Sequence, residues 1–226
     1  MPLQTPDQIA LDLPPPPPAY DRAGFVITGA NSAAFDVALR FASSPEPAIA
    51  VCGPTGAGKT HLLHIVAAEA RGAIVHDLAN GRVSNDVTLL AIDDAQRADP
   101  SALLDLIQAR RSGGLKTVLA GAGRPGAWAG GLRDLRTRLE AMPSVELGEP
   151  DEELLQSLIG ARFRSLQLRT RKGVAAYAAP RIPRTCLAAL RFVEGARAES
   201  VASGRPVSLA LAKKVIENLF EAGAAA

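Results

Sequence analysis

Short apolar blocks, separated by stretches of helical composition, set the rhythm of the chain from residue 48 to residue 147. AIAVC at 48–52, AIV at 73–75, TLLAI at 88–92 and TVLA at 117–120 are too short for helices and read as strands buried on both faces. VEL at 145–147 adds a last strand. Between them, 60–70 and 101–110 have helical composition, the second opened by Asp99 and Pro100 as a start signal. Strands alternating with helices fold as a parallel sheet covered by helices, so an α/β core is expected.

After residue 147 the strand signals stop. Helical patterns begin near Asp151, Thr170 and Pro183, with a fourth from Ser208; the first carries Glu152 and Glu153 where free amides and the helix dipole favour carboxylates. A small all-helical unit is expected, with its boundary near Glu149. At the other end, the proline run 14–18 should form a semi-rigid polyproline II spacer that holds residues 1–13 away from the body. The expected organisation is a tail at 1–24, an α/β core at 25–149 and a helical unit at 150–226.

Composition narrows the function classes. A net charge of +2 over 226 residues is no blanket polycation, so non-specific nucleic-acid binding does not follow from charge. The local run of Arg162, Arg164, Arg169, Arg171 and Lys172 could touch phosphates but reads as a solvated helix end and loop. Cys52 and Cys186 lie far apart without a CxxC spacing, as in a reduced cytoplasmic protein. No segment approaches the roughly 20 apolar residues of a membrane span, and prolines stand where a signal peptide needs an apolar core. Neither export nor membrane insertion is expected.

The chemistry lies at two strand ends. GPTGAGKT at 53–60 is a phosphate-binding loop between a buried strand and a helix: Gly53, Thr55, Gly56 and Gly58 bring backbone to the phosphates of ATP or ADP. Lys59 supplies a cation to the β and γ phosphates, and Thr60 a hydroxyl to Mg2+. LLAIDD at 89–94 places two carboxylates where ligands of open α/β sheets bind. Asp93 is expected to hold Mg2+ through water and Asp94 to orient an attacking water. The bland alternatives are a glycine-rich turn and an acidic strand end. His61, His64 and His76 lack metal-site spacing and read as structural or nucleotide-edge residues, and no Ser-His-Asp or Cys-His arrangement suggests another hydrolase class.

YDRAGFVITGANSAAFDVAL (20–39), GPTGAGKTHLLH (53–64) and LLAIDDAQ (89–96) together resemble the AAA+ module of the DnaA family of bacterial replication initiators. The resemblance implies an AAA+ core with a helical lid, binding ADP or ATP with Mg2+ through the residues above and His61. The chain stops at Ala226, where initiators continue into a helix-turn-helix domain, so that domain is expected to be absent. The resemblance is then to the DnaA-related regulators that lack it and inactivate the initiator by provoking hydrolysis of its ATP.

Under that resemblance, Gln8, Leu11 and Leu13 fit the Q-x-x-L-x-L peptide that docks on the replicative sliding clamp (the beta clamp), reaching DNA only through the clamp. Arg138, in DLRTRLE at 134–140, matches an arginine finger that acts in trans on the initiator's ATP. Arg184, in IPRTCLAAL, matches the arginine by which the lid senses nucleotide in cis. The implied setting is the bacterial cytoplasm, at the replisome, with self-association as a competing use of the same surface.

Two departures qualify the picture. After the strand at 117–120 the family usually carries a polar residue that positions the attacking water; here stand Ala120, Gly121, Ala122 and Gly123, so intrinsic turnover is expected to be weak. Between His76 and Leu89 the connection is shorter than the insertion with which initiators grip DNA. Trp128 reads equally as a partner anchor or a packing plug. Two rival functions stay open: an autonomous ATPase such as a helicase loader, and a non-catalytic clamp adaptor.

Overall fold

The computed structural model describes residues 20–76, 78 and 87–221. The proline run and Gln8, Leu11 and Leu13 lie outside the described residues. In chain order the regular elements are α1 (Ser32–Arg40), β1 (Ala48–Cys52), α2 (Lys59–Glu69), β2 (Ala73–Val75), β3 (Leu89–Ile92), α3 (Pro100–Ser112), β4 (Lys116–Gly121), α4 (Arg133–Ala141) and β5 (Ser144–Glu146). Helices α5 (Glu152–Ser165), α6 (Val174–Ala178), α7 (Cys186–Ser203) and α8 (Leu209–Ile216) follow.

All four strand pairings are parallel, in the order β2-β3-β4-β1-β5. Alternation along each strand assigns its side chains to two layers. Ile49, Val51, Leu89, Ala91, Val118 and Ala120 face the layer of α1 and α2. Ala50, Cys52, Leu90, Ile92 and Leu119 face that of α3 and α4, where Trp128 also packs. Every residue of β1 and β3 is buried, which is why these strands read as continuous apolar runs.

The helices of the last third surround a cluster of their own that includes Leu155, Ile159, Phe163, Phe192, Val193 and Val215. Three of the four starts are capped by a side chain: Asp151 accepts from the Leu154 amide at 2.7 Å, Thr185 from Ala188 at 3.0 Å and Ser208 from Leu211 at 3.3 Å. The helix expected near Thr170 begins only at Val174, because Thr170 forms an isolated parallel bridge with Val207 and Gly173 turns the chain at φ +85°. The helix expected near Pro183 begins at Cys186. Among the described residues no helix is long and apolar enough to cross a membrane.

The edge of the sheet opposite the strand tips is fastened by two cations. Arg110, 1% exposed, donates to the carbonyls of Lys116 and Val87. The Lys116 ammonium donates to the carbonyls of Phe41, Ser44 and Glu46 ahead of β1. The amino ends of β1, β3 and β4 are thereby held beside one another.

Candidate functional site

Gly53 follows directly on β1, and a Cβ there would come within 2.1 Å of the Leu147 carbonyl oxygen, so only glycine lets the chain turn into the loop. Gly58, at φ +100°, launches α2 from the left-handed region. The loop is thus wrapped around the N-terminus of an 11-residue helix, an arrangement that suits an anion.

Lys59 is 8% exposed, and its ammonium donates to the carbonyls of Gly53 at 2.9 Å and Pro54 at 2.8 Å. Burial pushes its pKa below the ordinary lysine value, while Asp93 and Asp94 pull it back up. Beside it the Thr60 hydroxyl donates to Asp93 Oδ2 at 2.7 Å. The same oxygen lies 3.5 Å from His76 Nδ1, and Asp93 Oδ1 accepts from the Asp94 amide at 3.0 Å. A hydroxyl and a carboxylate oxygen in contact next to a phosphate-binding loop form the hard-oxygen donor pair that Mg2+ takes alongside phosphates. Asp94 has left-handed backbone, φ 48° and ψ 40°, and pairs with Arg97 at 3.6 Å.

These groups line one end of a cavity of about 560 Å³. Thr55, Gly56, Gly58, Lys59, Thr60 and His61 line it with both aspartates. Its other walls are mainly apolar, with Phe25 and Val26 from the segment before α1, Leu154 and Leu158 from α5, and Leu187 and Leu190 from α7, although Arg162 and Ser165 of α5 also line it. A pocket with a polar, cationic end and an apolar slot has the two-part character of a nucleotide site. Asn31 braces the N-terminal wall, donating to the Val26 carbonyl at 2.9 Å and accepting from the Thr28 amide at 2.9 Å.

Helix α7 closes the cavity against the loop. The Cys186 amide donates to the Gly56 carbonyl at 2.8 Å, and a Cβ on Gly56 would come within 2.9 Å of Thr185 Cβ. Burial pushes the Cys186 thiol up to about 11, so it faces the cavity as an inert apolar group.

The remaining candidates are distributed as follows. His61 Nε2 lies 2.7 Å from the Asp21 carbonyl, and burial lowers its pKa. His64 and His76 sit behind it, ring centroids 5.4 Å apart. Arg184 stands next to the α7 cap but is exposed and does not line the cavity. Arg138 is also outside it, on α4, paired with Asp134 at 3.2 Å. Arg162 departs from the solvated run expected of it: it lines the cavity and lies 3.6 Å from Glu194. Sequence reasoning gave no role to Phe25, Asn31, Leu154, Leu158 or Gln96. The only signal for Gln96 was its place two residues beyond Asp94.

Fold and site define a P-loop α/β protein with a helical lid. No protein-family model matches the sequence. No curated protein matches it either. Solved structures do. Domain III of the Thermotoga maritima replication initiation protein DnaA matches over 92% of this chain and 99% of its own, with a TM-score of 0.80 at 19% identity. The Thermotoga maritima RuvB Holliday junction branch migration motor matches over 85% and 70%, with a TM-score of 0.66 at 20% identity. A replication initiator DnaA bound to AMPPCP and single-stranded DNA matches over 83% and 66%, with a TM-score of 0.66 at 23% identity. At these identities the likeness is one of fold: the chain has a DnaA-like AAA+ fold.

Proposed function

We propose that this protein is a nucleotide-binding regulator of chromosome replication, similar to Hda, that stimulates hydrolysis of ATP bound to DnaA while tethered to the sliding clamp. The observation that carries the nucleotide reading is the convergence of Lys59, Thr60 and Asp93 at the polar end of a lid-covered cavity. One likeness of fold supports the same choice, since a DnaA of this fold is bound to AMPPCP. ATP or ADP, with Mg2+ held by Thr60 and Asp93, would occupy the cavity. The units at 25–149 and 150–226 then act as core and lid, Arg184 senses the phosphates only when the lid turns it toward the cavity, which it does not line here, and the tail at 1–24 reaches the clamp through Gln8, Leu11 and Leu13.

Arg138 supports the regulatory part of the reading by its position. It lies on the surface of α4, outside its own chain's cavity, and its present partner is a single carboxylate one helical turn away. Such an exposed pair is weak and is easily exchanged for a partner's phosphates. In trans, the guanidinium would stabilise charge developing on the transferred phosphoryl group of the initiator's ATP, an effect of about 10³-fold or more for arginine fingers.

The test is initiator ATP hydrolysis with clamp loaded on DNA. Wild-type protein is expected to accelerate it, whereas Arg138→Ala and the combined Gln8, Leu11 and Leu13 to alanine variant are not. An Arg138→Ala protein as active as wild type would leave a clamp adaptor; rapid ATP turnover by the isolated protein with no effect on the initiator would leave an autonomous ATPase.

A further inference from the structure

The tip of β4 carries no polar side chain of its own, yet a polar group reaches it from elsewhere. Gln96, in the 3-10 turn Ala95–Arg97 that follows Asp94, accepts from the Ala122 amide at 3.0 Å and donates to Asp94 Oδ1 at 3.0 Å. Trp128 donates through its indole N–H to the Ala122 carbonyl at 2.7 Å. Glycine at position 121 makes room for both, since a Cβ there would come within 2.7 Å of Gln96 Oε1 and 2.6 Å of the Trp128 ring. Trp128 is 2% exposed and packs in the same apolar cluster as Leu135 and Leu139 of α4, the helix that bears Arg138.

We propose that Gln96 is a positioning residue that fixes Asp94 from the tip of β4 and, through Ala122 and Trp128, ties the phosphate end of the cavity to helix α4. The proposal rests on the reading of the cavity as a nucleotide site. Both halves of the Gln96 amide are used, the carbonyl on the Ala122 N–H and the NH2 on Asp94, so a change at Asp94 is passed to the residue whose carbonyl also holds Trp128. Because Asp94 is the group expected to orient the water that attacks the terminal phosphate of a triphosphate, the link should distinguish a triphosphate from a diphosphate. The nucleotide state of this chain then bears on the helix presenting Arg138.

Trp128 is the chain's single tryptophan, so its emission reports on the link directly. Emission is recorded for wild type, Gln96→Ala and the near-isosteric Gln96→Glu, each saturated with Mg-AMPPCP or Mg-ADP, with affinities measured alongside by calorimetry. Gln96→Glu keeps an acceptor for Ala122 but loses the donor to Asp94. Wild type should show different emission with the two nucleotides, and both variants should lose the difference while binding ADP within about threefold of wild type. The proposal is overturned by equal emission in wild type, or by a difference that survives in either variant. Failure of wild type to bind either nucleotide overturns the nucleotide reading, and this proposal with it.

Discussion

His64 stacks on Tyr20 with ring centroids 4.7 Å apart, faces His76, and leaves its Nε2 buried with no hydrogen-bond partner among the described residues. Burial lowers its pKa below the ordinary 6.5; the His76 and His61 rings act in the same direction and Asp93 opposes them. The unfolded chain therefore takes up the proton first as pH falls. Stability is fully present above 6.5 and is lost as pH drops through the folded value. His61 has the same sign, so it adds to the effect. Phenylalanine at position 64 would keep the stacking and remove the titrating nitrogens. The His64→Phe protein should lose less melting temperature than wild type between about pH 7.5 and about pH 5.5. An equal loss in both would place the acid sensitivity elsewhere.

At the scale of elements, β1 and β3 were legible because burial on both faces leaves no polar position to interrupt them, and the half-buried β2 because its three residues are all apolar; 48–52 and 73–75 coincide with β1 and β2. Helix α4 was not legible as a helix. Only Leu135 and Leu139 face the core, while Arg133, Asp134, Arg136, Thr137, Arg138 and Glu140 belong to the surface, so the apolar stripe is two residues deep. Helix α1 was hidden for a related reason, since its buried face consists of Ala34, Phe35 and Ala38. Arg110 could not be recognised from sequence, because a cation in the last turn of a helix ordinarily faces water. Here it is bonded to carbonyls of the approach to β3 and of β4, and burial lowers its pKa. Arg110→Met should lower stability by about 2–3 kcal/mol through the unpaired carbonyls left behind. In urea the midpoint should fall with an unchanged slope; an unchanged midpoint would contradict the structural role.

For the whole molecule, the polar end of the cavity was readable from sequence, whereas its apolar half was not. Lys59, Thr60 and Asp93 lie in motifs whose spacing states their chemistry. Phe25, Leu154, Leu158 and Leu190 are ordinary apolar residues until the fold brings the N-terminal segment and the lid helices to the same cavity. A nucleotide bound there, as proposed, would bridge the sheet and the helices after residue 150. A ligand at about 100 times its Kd should then raise stability by about 2.7 kcal/mol.

Whether this cavity holds a nucleotide is decided by equilibrium binding of ADP and of AMPPCP, with and without Mg2+, to wild type and to Lys59→Ala. Wild type should bind both, Mg2+ should strengthen the triphosphate complex, and Lys59→Ala should lose about tenfold or more in affinity, as expected when one charge-assisted contact to phosphate is removed. Absence of binding to wild type, or a Lys59→Ala protein that binds as tightly, would contradict the account.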